Sequence, residues 1–146
     1  MEQAIEGDTV CFCCGVDNEK GLHLRFSYPR EGEAEASLVV PAHFSGWKGI
    51  THGGFLSMLL DEAMAHACIG AATSAVTGEM TVRFLKPVGT ATTIRVTGAV
   101  EAHRGRILVT KGRIYDESGA LAAEASAKFL KTGGAPGSGR SAGAGS

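Results

Sequence analysis

An excess of either charge sign, a bilayer-length apolar run and a complete set of metal ligands are all missing from this chain. Lysine and arginine number 14 against 15 aspartates and glutamates, a net charge of −1, so nothing advertises a nucleic acid or a membrane surface as partner. No apolar run approaches the roughly 20 residues that cross a bilayer. The residues after Met1 also lack the basic and apolar regions of a secretory signal, so the expected location is cytoplasmic. Four cysteines are too few and too oddly spaced to make a framework: Cys11, Cys13 and Cys14 crowd into CFCC, and Cys68 stands alone. There is no second C-x-x-C and no Cys/His pair nearby to complete a tetrahedral zinc site, and a reducing compartment disfavours bridges. The thiols are expected to be structural, with no metal and no cofactor. No internal repeat is visible, and 146 residues suit one compact domain with a real core.

What is present is organised around Trp47 to Ala72, WKGITHGGFLSMLLDEAMAHACIGAA. This reads as a Gly-bearing turn feeding one long helix that is apolar nearly all the way round, as a core helix is. Asp61, Glu62 and His66 are its only acidic or imidazole side chains past the opening turn. Carboxylates are rarely left in apolar surroundings unless paired or working. Thr51 is the expected N-cap, with His52, Gly53 and Gly54 in a first turn whose N–H groups lack intrahelical partners. Two glycines there are poor helix formers, but they let a ligand atom approach those donors, as an oxyanion site requires. At about 100° per residue, Gly54, Ser57, Met58, Ala65 and Cys68 fall on the Asp61 side.

Strands are expected on both sides of the helix. Leu22 to Tyr28 and Glu33 to Val40 alternate apolar and polar residues around the turn Pro29-Arg30-Glu31-Gly32, which predicts a hairpin. Val76 to Leu85, Thr92 to Ala102, Arg106 to Tyr115 and Leu121 to Leu130 follow the helix, with turns at His103-Arg104-Gly105 and Asp116-Glu117-Ser118-Gly119. This order is α+β, a curved antiparallel sheet wrapping one helix. Residues 1–21 are a turn-rich lead-in, 22–131 the folded domain, and 132–146 a Gly/Ser-rich tail expected to be disordered.

The run Phe44-Ser45-Gly46, Gly49-Ile50-Thr51-His52-Gly53-Gly54, Asp61-Glu62-Ala63 and Thr77 through Pro87 resembles the hotdog-fold acyl-CoA thioesterases. The nearest branch is that of the phenylacetyl-CoA and 4-hydroxybenzoyl-CoA thioesterases. The resemblance implies a long helix gripped by a curved sheet, edge-to-edge pairing of subunits as a dimer or dimer of dimers, and active sites at the subunit interface. It implies hydrolysis of an acyl-CoA to free acid and CoA. Gly53 would polarise the thioester carbonyl through its N–H, and Asp61 of the partner subunit would serve as nucleophile or general base. Thr77 matches a family Ser or Thr that orients the carboxylate or the water. Many relatives carry Asn about six residues before the histidine, where this chain has Gly46.

The remaining assignments rest on residue type, with the resemblance supplying the acyl-CoA ligand. His52 is either a catalytic base or a loop-fixing hydrogen-bond donor; Glu62 is a structural or interface residue with His66, one turn on, as its local partner. Gly54, Trp47, Phe44, Phe55, Met58 and Leu59 would wall the acyl pocket. Arg83 and Lys86, and Arg104 and Arg106, would grip the phosphates of coenzyme A. Two other activities remain open, a hotdog enoyl-thioester hydratase or dehydratase and a non-catalytic acyl-CoA sensor. Neither a helix-turn-helix pattern nor a basic arm, which a sensor acting on DNA would need, is apparent.

Overall fold

The structure, a computed structural model, describes residues 9–133; the expected tail beyond Gly133 lies outside them. Strand β1 (Glu33–Val39) precedes a 3₁₀ turn (Ala42–Phe44), a small ribbon of β2 (Ser45–Trp47) and β3 (Ile50–Thr51), and the helix α1 (Gly53–Gly70). Then come β4 (Ala75–Phe84), β5 (Thr93–Arg104), β6 (Ile107–Tyr115) and β7 (Leu121–Lys131). The five long strands form one antiparallel sheet in the order β1-β5-β6-β7-β4. This is the hotdog architecture, one long helix against a curved sheet.

Period-2 alternation sets the sheet faces. Along β5, Ile94, Val96 and Gly98 are buried, and along β6 Leu108, Thr110, Gly112 and Ile114, so the apolar face of each strand turns to the helix. A row of small residues crosses the sheet where the helix lies: Ala34 pairs Gly98, Gly98 pairs Gly112, and Gly112 pairs Ala125. The helix backbone settles into this row. A Cβ at Gly98 would stand 2.2 Å from the carbonyl oxygen of Ala63.

The helix buries Phe55, Leu56, Leu59, Leu60, Ala63, Met64 and Ala67. Burial of such side chains, at about 25 cal/mol per Å², is the main force holding helix to sheet. It ends two residues before the expected Ala72. Ala72 takes φ +57, and Thr73 N–H reaches Cys68 O at 2.9 Å while Ala72 N–H reaches Ile69 O at 2.8 Å. That double bond pattern closes the C-terminus without glycine.

The expected hairpin partner, Leu22 to Tyr28, is not a strand. Its Leu22 and Leu24 N–H groups donate to Phe12 O and Cys13 O, and His23 takes φ +53, which breaks an extended run. Only Ser27 opposite Glu35 remains as a bridge. The segment instead lays Cys13 and Leu24 onto the core, so the helix is covered by the sheet on one side and by this segment on another. No helix among the described residues is long and apolar enough to cross a membrane.

Candidate active site

The start of α1 is fixed by its approach. Thr51 N–H donates to Val88 O at 2.7 Å and His52 N–H to Phe44 O at 2.8 Å. The cap is His52 rather than the expected Thr51: His52 has φ −62 and ψ 134, and its Nδ1 accepts the Gly54 N–H at 2.8 Å. Thr51 is held in β3 instead, its Oγ1 buried and unpartnered. His52 therefore fixes the loop as an acceptor, not as the donor anticipated.

That cap divides the two glycines. Gly54 gives its N–H to His52, and a Cβ there would lie 3.1 Å from that imidazole, so glycine at 54 makes room for the cap. The Gly53 N–H has no partner among the described residues. It is an unspent donor at the positive end of an 18-residue helix. Gly53 lines a cleft of ≈ 340 Å³ together with Thr51, Leu56 and Phe84 to Val88. A second cleft of ≈ 370 Å³ on the other side of the cap is lined by Phe12, His43, Phe44, Gly54, Phe55 and Met58.

Two turns further on, Asp61 is half-buried and Thr77 Oγ1 donates to its Oδ1 at 2.6 Å. Thr77 stands where the β4–β7 register slips between Thr77 and Glu79, and a bulge of this kind re-aims a side chain. Gly53, Gly54, Ser57, Met58, Asp61, Glu62, Ala65 and Ile69 form one stripe of α1 that the rest of the described chain leaves at least partly open. Cys68, expected on this side, is buried at 1% exposure; its thiol is pushed up to about 12 by burial. Gly53 and Asp61, eight residues apart on one helix, stand about 12 Å apart along its axis. One chain cannot bring both to the same thioester.

Of the expected acyl-pocket wall, Gly54, Phe44, Phe55 and Met58 meet at the second cleft, with Phe44 and Phe55 stacked at 4.3 Å, whereas Leu59 is wholly core. Trp47 is 81% exposed on β2 and lines neither cleft. Arg83 pairs with Glu124 at 3.3 Å and Lys86 with Asp116 at 2.5 Å. Together with the Ser118 hydroxyl and two turn N–H groups, Lys86 holds the Asp116 carboxyl well below the usual range. Arg104 and Arg106 flank the β5–β6 turn, where Arg106 donates to Lys131 O. Arg83 faces Glu124 while Ile107 faces Leu130 on β7, so the two basic groups lie at opposite ends of the sheet, about 20 Å apart. They do not form one anion site within a chain.

Glu62 meets His66 as expected, Oε2 to Nε2 at 3.3 Å. The sequence offers the N-terminal cysteines no Cys/His pair, and the group that reaches them in the fold is a carboxylate. Folding brings Glu62, 51 residues away, to the Cys11 thiol.

The thioesterase superfamily model matches residues 48–123, over half of the chain, which belongs to that superfamily. Among solved structures, the PaaI protein from the phenylacetic acid degradation operon of E. coli is similar at 27% identity, covering 78% of this chain and 83% of its own, with a TM-score of 0.73. A hypothetical thioesterase from Streptococcus pneumoniae TIGR4, solved with coenzyme A, is 20% identical over 75% of this chain and 86% of its own, TM-score 0.71. Streptococcus mutans UA159 smu.793, bound to acetyl CoA, is 19% identical over 75% and 89%, TM-score 0.71. No curated protein sequence matches the chain.

Proposed function

We propose that this chain is an acyl-CoA thioesterase that uses water to cleave an acyl-CoA into free acid and coenzyme A, in a site shared by two subunits. The observation that carries the reading is the pairing of an unspent Gly53 N–H with a Thr77-held Asp61 on one open helix stripe. The Gly53 N–H receives the thioester oxygen, whose negative charge grows as the tetrahedral intermediate forms, and the helix dipole reinforces it. Asp61 takes the proton of the attacking water; Thr77 fixes Oδ1 and leaves Oδ2 to face that water. The proton then goes to the departing thiolate of coenzyme A.

Because the two groups are about 12 Å apart on one helix, Gly53 of one subunit works with Asp61 of the other. An isologous dimer with antiparallel helices makes two such sites. Supporting this, β4 is an edge strand whose outer side pairs with no other strand among the described residues. Val76, Phe84 and Leu85 on it and just beyond are exposed, the kind of edge a protein normally covers. The phosphates of coenzyme A are met by Arg104 at the β5–β6 turn, whereas Arg83 and Lys86 are engaged by Glu124 and Asp116.

The test is thiol release from a panel of aromatic, short and medium acyl-CoAs, phenylacetyl-CoA included, for the wild type and Asp61→Asn. Turnover by the wild type with a loss of about a hundredfold or more in the variant is the expected result, the scale of a lost base. Equal rates, or saturable binding without turnover of any substrate, would overturn it.

A further inference from the structure

The segment 9–28 carries chemistry that hydrolysis does not use. Cys11 and Cys14 flank a turn closed by Gly15 N–H to Cys11 O at 2.9 Å. Only glycine fits after Cys14, since a Cβ at 15 would stand 2.3 Å from Cys11 N and 2.5 Å from Thr9 O. Drawn this tightly, the turn aims both thiols at one carboxylate: the ligating atoms of Cys11, Cys14 and Glu62 all lie within 4.8 Å of one another. The Cys11 thiol donates to Glu62 Oε2 at 3.6 Å. Tetrahedral zinc with its usual bond lengths has a sulfur-to-oxygen edge of about 3.5 Å.

The carboxylate is braced from behind. His66 Nε2 lies 3.3 Å from Glu62 Oε2, and the imidazole, 2% exposed, stacks on Phe26 at 4.1 Å while its Nδ1 shares a 2.8 Å hydrogen bond with the Tyr28 hydroxyl. Orientation of a ligand by a second, fixed group is typical of built metal sites.

We propose that Cys11, Cys14 and Glu62 bind a zinc ion that clamps the N-terminal segment to the middle of α1. Two thiolates favour zinc over calcium or magnesium. Binding releases the thiol protons of Cys11 and Cys14 to solvent, and a water completes four-coordination. The ion stands beside Glu62, one residue from Asp61, and fixes the helix stripe there.

The test measures zinc released from the purified full chain, then titrates the metal-free chain with zinc against a chromophoric chelator and with cobalt(II). One zinc per chain and a thiolate-to-cobalt charge-transfer band are expected for the wild type and for Cys68→Ala. In Glu62→Gln and Cys14→Ser the band weakens and zinc affinity falls tenfold to a hundredfold or more. Should Cys14→Ser fail to fold, the near-isosteric Glu62→Gln titration decides alone. The proposal is overturned by a chain that takes up neither ion, or by one that binds zinc equally well in both variants. A Cys11–Cys14 disulfide that still takes up no metal after reduction overturns it as well.

Discussion

Gly53 and Gly54 look alike in sequence, and the structure gives them different work. Gly54 is glycine because His52 needs the space, whereas Gly53 leaves an N–H unspent. Proline tests that distinction without disturbing the helix. Position 53 is the first helical residue, where proline's missing N–H is tolerated, and His52 at φ −62, ψ 134 already has the extended backbone that precedes proline. Gly53→Pro is expected to melt at the wild-type temperature or above it, yet to lose about a hundredfold to a thousandfold in kcat, the scale of one oxyanion donor. Circular dichroism and thiol release on the same sample check both halves; full activity in the folded variant would remove Gly53 from the mechanism. This residue was legible in the sequence because a double glycine at a helix start has few other uses. The Thr77 bond to Asp61 was legible only through the family resemblance. His52 was legible as a loop-fixing residue but not as the cap, since an imidazole is an uncommon cap beside a threonine that could have served.

At the scale of elements, hydrophobic periodicity carried most of the fold. Expected strands at 76–85, 92–102, 106–115 and 121–130 differ from β4 to β7 by two residues or fewer at each end, because alternation is a local property of a half-buried strand. What alternation cannot convey is a partner distant in sequence. Leu22, Leu24 and Phe26 alternate as a strand would, but their neighbours are the cysteine turn and the helix. Glu62 and Cys11 likewise meet only when residues 51 apart are folded together. Gly98 and Gly112 read as flaws in strands until the register sets them side by side beneath the helix. Gly98→Ala would drive a methyl into the Ala63–Met64 backbone, which cannot turn aside as a side chain can. It is expected to cost about 3 kcal/mol or more, or to prevent folding. Gly119→Ala, at φ +88 with nothing within 4 Å, is expected to cost only about 1–2 kcal/mol of backbone strain. Urea unfolding of the two variants side by side separates packing from backbone conformation, and a smaller cost at 98 than at 119 would contradict this account of the row.

For the whole molecule, the proposed two-chain site makes a demand that no single-chain reading meets. If Gly53 and Asp61 of one subunit served one thioester, Gly53→Pro and Asp61→Asn would be dead in every mixture. If they belong to different subunits, a heterodimer of the two variants has one site with both defects and one with neither. Random reassortment of equal amounts makes half of the dimers mixed, each with one working site of two, so the mixture regains about a quarter of wild-type turnover while neither parent has any. The measurement is thiol release after the two variants are unfolded together and refolded, with separately refolded and then briefly mixed samples as the control. Recovery near a quarter, absent from the control, requires a site built from two chains. Absence of recovery in a mixture shown by mass to contain heterodimers would return both groups to one chain, where the helix rise of about 12 Å keeps them from acting on one carbonyl, and hydrolysis by this pair would have to be given up.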